Sequence, residues 1–269
     1  MTAFDQRMAE AERLLQQGQP EKAKAAFKQL ATQPDLDAIQ RGRALYALGT
    51  ALYTLHEFQD GCTALHSAWQ TFSSELGAEH PATTRVLILL ARCHVAMDDM
   101  DTGNKLGRQV LDILRRTAKP DDPQLAAACF FLSSGVYQVG QLDEAERLTK
   151  EAMGIWERRF GHRSVEVSTC LNNLGRIEEE RGHLEKGIAL HRESVSIRKE
   201  LLGDHRETAF SLGNLGTALA SAGHWQEAVD TLEEALACYA SAGVTTGFEI
   251  EGYRANLDLC RKALAAQNG

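Results

Sequence analysis

The chain has 269 residues, 43% of them hydrophobic, with five prolines and a formal net charge of −8. That is ample for a packed core, and so few prolines suit long uninterrupted helices. The acidic balance argues against general nucleic-acid binding, which needs a basic surface to neutralise phosphates, and no apolar run reaches the 18 residues expected of a membrane span.

Helical periodicity predicts a series of helix hairpins. The first covers Ala3–Gln33, with Pro20 where the first turn of a helix accepts it. The second and third cover Leu36–Glu75 and Pro81–Thr117, and the next three Asp122–Arg159, Arg163–Leu202 and Arg206–Ala240. A last helix, Gly247–Ala266, has no partner behind it, and its Glu249, Glu251, Arg254, Asp258, Arg261 and Lys262 suit a terminal cap. No linker is long enough to separate two domains, so a single domain over residues 1–269 is expected.

The hairpins share one register. Taking Gly18, His56, Asp98, Gly140, Gly182 and Gly223 as the turn residues, successive steps are 38, 42, 42, 42 and 41 residues. Seven residues before each turn stand Ala11, Gly49, Ala91, Ser133, Gly175 and Gly216, and five residues after it stand Ala23, Gly61, Gly103, Ala145, Gly187 and Ala228. All twelve are small. Leu48, Leu90, Leu132, Leu174 and Leu215 precede the first set, with Glu10 the exception. A small residue on each helix lets two backbones approach closely, and the leucines fill the remaining volume.

This register resembles the tetratricopeptide repeat, whose usual unit is 34 residues. The 42-residue step, the NNLG at 172–175 and the linkers around Gly77–Pro81, Lys119–Pro123 and Gly203–His205 resemble the long-helix variant of kinesin light chains. His56 and Asp98 depart from the turn glycine, and Phe160-Gly161-His162 lacks the linker proline. The resemblance implies an all-α fold: a right-handed superhelical α-solenoid of about six antiparallel hairpins plus a C-terminal capping helix. It also implies that the first helix of each pair lines a concave groove.

On that implication the groove-facing residues lie 13, 9 or 10, 6 and 3 positions before each turn, because steps of three and four share a helix face. The N-terminal half then presents Arg43, Tyr46 and Tyr53, then Arg85 and Arg92, then Phe130 and Tyr137. Arginine forks suit carboxylates and rings bury apolar side chains, so a protein or peptide partner with acidic residues or a free carboxylate is expected. The C-terminal half presents Asn172, Asn173 and Arg176, then Asn214, then Asn256. Asn173, Asn214 and Asn256 recur at steps of 41 and 42 residues. Side-chain amides can pair with both the N–H and C=O of an extended chain, which is what the family's groove asparagines do. The alternative is that they bridge neighbouring helices.

Cys62, Cys93, Cys129, Cys170, Cys238 and Cys260 form no CxxC pair and read as buried thiols, which suits a cytoplasmic location. The N-terminal MTAFDQRMAEAER has no apolar signal region. His80, His162 and His205 fall in linkers, where imidazoles can bond helix ends. No metal-ligand spacing, phosphate loop or nucleophile motif appears, so neither enzyme nor cofactor is expected. The function expected is a scaffold or adaptor that binds an extended peptide or protein segment. Its rivals are a homo-oligomerisation module and a peptide-sensing regulator.

Overall fold

The computed structural model describes residues 2–267. Thirteen α-helices and no strand lie among them. The hairpins are α1 (Ala3–Gln16) with α2 (Pro20–Ala31), α3 (Ala38–Thr54) with α4 (Phe58–Glu75), and α5 (Pro81–Ala96) with α6 (Met100–Thr117). They continue as α7 (Pro123–Gln138) with α8 (Leu142–Phe160), α9 (Val165–Glu180) with α10 (Leu184–Leu202), and α11 (Arg206–Ser221) with α12 (Trp225–Ser241). The last helix is α13 (Phe248–Gln267). Two compact units divide the chain: unit 1 ends at Pro120 and unit 2 begins at Asp121.

The turns follow the register read from the sequence, and backbone conformation explains why. Gly18, Gly140, Gly182 and Gly223 all have φ between 69° and 80°, and His56 and Asp98 take φ of 62° and 64° in the same left-handed region. In each turn the next N–H donates to the carbonyl five residues earlier, as in Gln19 to Leu14, Glu57 to Leu52, Asp99 to His94 and His183 to Glu178, all at 2.9 Å. This ends the first helix of each pair with its last carbonyls satisfied. Pro20, Pro81 and Pro123 open their helices at the position where a missing N–H costs nothing.

The small residues do bring helices together. A methyl group added at Gly49, Gly175 or Gly216 would lie 2.5 Å from Leu65 Cγ, 2.7 Å from His191 Nε2 or 2.6 Å from Leu232 Cγ. Within unit 1, α1 touches α3 and α3 touches α5; within unit 2, α7 touches α9, α9 touches α11 and α11 touches α13. Successive second helices make no comparable contact within either unit. First helices therefore crowd one side of each stack, the inner side of its curve.

The first hairpin is truncated. Helix α2 ends 13 residues past its turn residue, whereas α4 and α6 end 19 past theirs. At 1.5 Å per residue the missing length is about 9 Å. At the other end, α13 packs through Ile250, Tyr253, Leu257 and Cys260, while Phe248 is 90% exposed and Leu259 58% exposed. The charged cap expected there thus has an apolar outer stripe as well. All six cysteines are buried and none is in a disulfide. Burial pushes the Cys93 thiol up to about 12.

Candidate functional site

In unit 1, the inner face holds an open groove of about 590 Å³. Its apolar walls come from Met8 and Leu15 on α1, Phe27 on α2, Ile39 and Tyr46 on α3, and Phe72 and Leu76 near the end of α4. Arg43, Arg85, His80 and Glu12 supply its polar atoms. Arg43 donates to Asp5 Oδ1 at 3.0 Å, and its guanidinium lies 5.2 Å from the centre of the Phe4 ring. The Thr2 hydroxyl, and after it the Arg43 bond, holds the Asp5 carboxyl below the usual range. Arg85 is exposed and forms no ion pair among the described residues. Farther along, Arg92 lies over the Tyr53 ring at 5.3 Å. The five N-terminal residues read from the sequence thus share one inner face, with Arg43, Tyr46 and Arg85 lining the groove itself.

Unit 2 offers a smaller recess of about 50 Å³, lined by Ser133, Ser134, Tyr137, Gln138, Thr149, Asn173, Arg176 and Ile177. Arg176 lies 4.6 Å from the centre of the Tyr137 ring, a cation–π distance. The Tyr137 hydroxyl donates to Glu180 Oε1 at 3.2 Å. Burial raises that phenol above its ordinary value, so it remains a donor. Asn173 is half-buried and its amide has no hydrogen-bond partner among the described residues, while Arg176 is exposed and forms no ion pair. Phe130 is not in the recess; its ring packs 5.6 Å from Trp156.

The other asparagines are engaged inside the scaffold. Asn172 is 3% exposed. Its Oδ1 accepts from His191 Nδ1 at 3.0 Å and from Asn214 Nδ2 at 3.1 Å. Asn214 Oδ1 in turn accepts from the Tyr253 hydroxyl at 3.2 Å. Asn256 Nδ2 donates to Thr217 Oγ1 at 3.0 Å. The bridge from α9 through α11 to α13 therefore runs Asn172–Asn214–Tyr253 and takes only Asn214 from the asparagines that recur at one helix position. Of the four asparagines singled out in the sequence, Asn173 alone keeps an unpartnered amide at an open recess.

Two polar centres had no counterpart among the residues read from the sequence. His191 is fully buried, with Nε2 2.6 Å from Glu179 Oε1. It occupies the position nine past the turn that faces the small residue of the first helix, where Leu65 and Leu232 stand in other hairpins. A comparison of that register position across hairpins would have exposed it as the one ionisable side chain in a series otherwise made of Phe27, Leu65, Gly107, Thr149 and Leu232. Arg198 is 4% exposed and donates to Ser168 Oγ, Thr169 Oγ1, Ser211 Oγ and the Glu207 carbonyl at 2.8–2.9 Å. Burial holds its guanidinium below the usual arginine range. It ties α10 to α9 and α11. Among the described residues no cluster of three or more His, Cys, Asp or Glu is placed to hold a metal, and no helix is long and apolar enough to cross a membrane.

Comparison with known proteins agrees with this architecture. A family model described as tetratricopeptide repeat matches residues 131–200 and 180–241. Outer dynein arm-docking complex subunit 4 of Homo sapiens is 30% identical over 106 residues, 39% of this chain and 15% of that protein. Protein KINESIN LIGHT CHAIN-RELATED 3 of Arabidopsis thaliana is 21% identical over 189 residues, 70% of this chain and 29% of its own length. The chain thus spans less than a third of either relative. The crystal structure of BtubC (BKLC) from P. vanneervenii superposes with a TM-score of 0.68 at 20% identity, over 90% of this chain and 93% of that one. Residues 131–241 thus carry tetratricopeptide repeats, and 90% of the chain shares the solenoid fold of BtubC (BKLC).

Proposed function

We propose that this protein is an interaction scaffold whose inner helix faces capture an extended segment of a protein partner. The observation that carries the reading is the Asn173–Arg176 pair. One turn apart on α9, they bring an unpartnered amide and an unpaired guanidinium to one polar recess. The amide suits a peptide N–H and C=O; the guanidinium, oriented by the Tyr137 ring, suits a carboxylate. Arg85 and Arg92 extend the same preference along unit 1, so the favoured segment is acidic or ends in a free carboxylate. The rigid hairpins are ordered before binding, and the ligand alone loses conformational freedom. Buried reduced thiols fit a reducing compartment, and we place the protein in the cytoplasm. The human relative is by its name a subunit of a docking complex, which fits a protein partner here as well.

The test is calorimetric titration against a set of extended peptides graded in acidic content. Acidic peptides should bind, and Asn173→Ala or Arg176→Ala should weaken them about tenfold, roughly 1.4 kcal/mol, with an unchanged melting temperature. Equal affinity for neutral and acidic peptides, or affinity indifferent to both substitutions, overturns the reading.

A further inference from the structure

Unit 1 and unit 2 each carry an apolar surface without a partner, and the two are chemically matched. The unit-1 groove has an apolar floor with Arg43 and Arg85 toward α3 and α5 and Glu12 on α1. No asparagine lines it, and its largely apolar floor offers little to pair with the backbone of an extended peptide. A helix needs no such help, because its backbone hydrogen bonds are made internally; it presents only an apolar stripe and flanking charges.

Helix α13 has that stripe. Phe248, Gly252, Ala255 and Leu259 are all exposed, at spacings of four, three and four residues that keep them on one face. The opposite face, through Ile250, Tyr253, Leu257 and Cys260, holds the helix to its unit. Open space surrounds Gly252, leaving room for close approach at the middle of the stripe. Glu249, Glu251 and Asp258 flank the stripe, and Lys262 follows Leu259 by three residues; none of the four is ion-paired among the described residues. Acids near the start of the helix and a lysine toward its end mirror arginines on α3 and α5 and an acid on α1.

We infer that the unit-1 groove receives helix α13 of a second copy of this chain. The inference rests on reading the unit-1 inner face as a docking surface, and it names the occupant. Phe248 and Leu259 enter the apolar floor, Glu249 and Glu251 meet Arg85, and Lys262 meets Glu12. Because the two surfaces differ, the contact is heterologous: each copy offers a free groove and a free helix, so chains join into a closed ring or an open filament.

Light scattering after size exclusion tests this on the full chain. The weight-average mass of the wild type should rise with concentration to two chains or more. A groove variant, Leu76→Asp with Arg85→Glu, and a helix variant, Phe248→Asp with Leu259→Asp, should each stay at one chain. All four side chains are exposed, and unchanged far-ultraviolet circular dichroism verifies folding. Mixed in equal amounts, the two variants should form a dimer and stop there, since one keeps a helix and the other a groove. A wild type monomeric at millimolar concentration overturns the inference. So does a groove variant that still dimerises, which would mean that α13 pairs with its own copy, or a mixture that stays at one chain. Asn173→Ala should leave the mass unaltered, so failure of self-docking and failure of peptide capture are read separately.

Discussion

Asn172 and Asn173 are neighbours in the chain with opposite surroundings. Asn172 is the shared acceptor for His191 and Asn214 in a buried chain that ends at Tyr253. Truncating it to alanine leaves a buried donor on His191 and a half-buried one on Asn214 without an acceptor, and a loss of about 2 kcal/mol is expected in a denaturant melt. Asn173→Ala removes an amide that bonds nothing in the scaffold, and its stability should stay within about 0.5 kcal/mol of wild type. The sequence places both residues on the inner face, and it cannot separate them. They are one residue apart, so about 100° of helix rotation decides which meets α10 and α11 and which meets the recess. The recurrence of asparagine marks a demand at that position, but hydrogen bonding between layers and peptide binding make the same demand of a side chain.

His162 carries the clearest pH dependence. Its Nδ1 lies 2.8 Å from Glu157 and its Nε2 2.7 Å from Glu193. Bonds to Glu157 and then Glu193 raise the imidazole above its ordinary value of 6.5. A raised folded value means the linked stability is complete below pH 6.5 and lost as pH climbs through the folded value. The group is half-exposed, so solvent screens the pair and the stability effect is small. The measurement is therefore the ring itself: an NMR titration of His162 should show a midpoint above 6.5, moved down by Glu157→Gln. His80 and His205, by contrast, cap helices by accepting from Ala82 N–H and Glu207 N–H, as their linker positions suggested.

At the scale of the helix pair, the contact between hairpin arms is set by which arm supplies the gap. Gly49 and Gly216 make room for Leu65 and Leu232; in the third hairpin, Ala91 stands seven before the turn and Gly107 nine after it, so the glycine is on the other arm. Gly216→Ala would place a methyl 2.6 Å from the branch carbon of Leu232. Overpacking there should outweigh the gain in helix propensity and cost about 1–3 kcal/mol. Gly61 is different, because an added methyl would meet its neighbours at 3.6 Å or more. Gly61→Ala should therefore stabilise by about 0.5–1 kcal/mol. Chemical denaturation of the two variants checks both signs. The small-residue register was visible in the sequence because close approach restricts side-chain volume at fixed intervals. The same register does not say whether a glycine is filled by a neighbour or merely tolerated, since that depends on side chains sixteen residues away. Nor does it show the groove of unit 1: Leu76 looks like ordinary core, yet it is 36% exposed where it lines the groove.

For the molecule as a whole, helix content and the order of hairpins were legible because each level of the sequence agrees: turn residues at left-handed positions, prolines at helix starts, and apolar stripes at helical spacing. The division at Pro120–Asp121 was not, since it lies in a linker as short as the others, all of them between three and six residues. Division has an experimental consequence through the thiols. Cys62 and Cys93 lie in unit 1; Cys129, Cys170, Cys238 and Cys260 lie in unit 2. In the folded chain all six should resist a maleimide, and each should be alkylated only when its own surroundings open. Mass spectrometry of peptides from a labelling time course then gives six natural stopwatches, two for one half and four for the other. If the halves melt together, all six run at one rate; if the truncated N-terminal end loosens first, Cys62 and Cys93 will be marked while the remaining four are still silent.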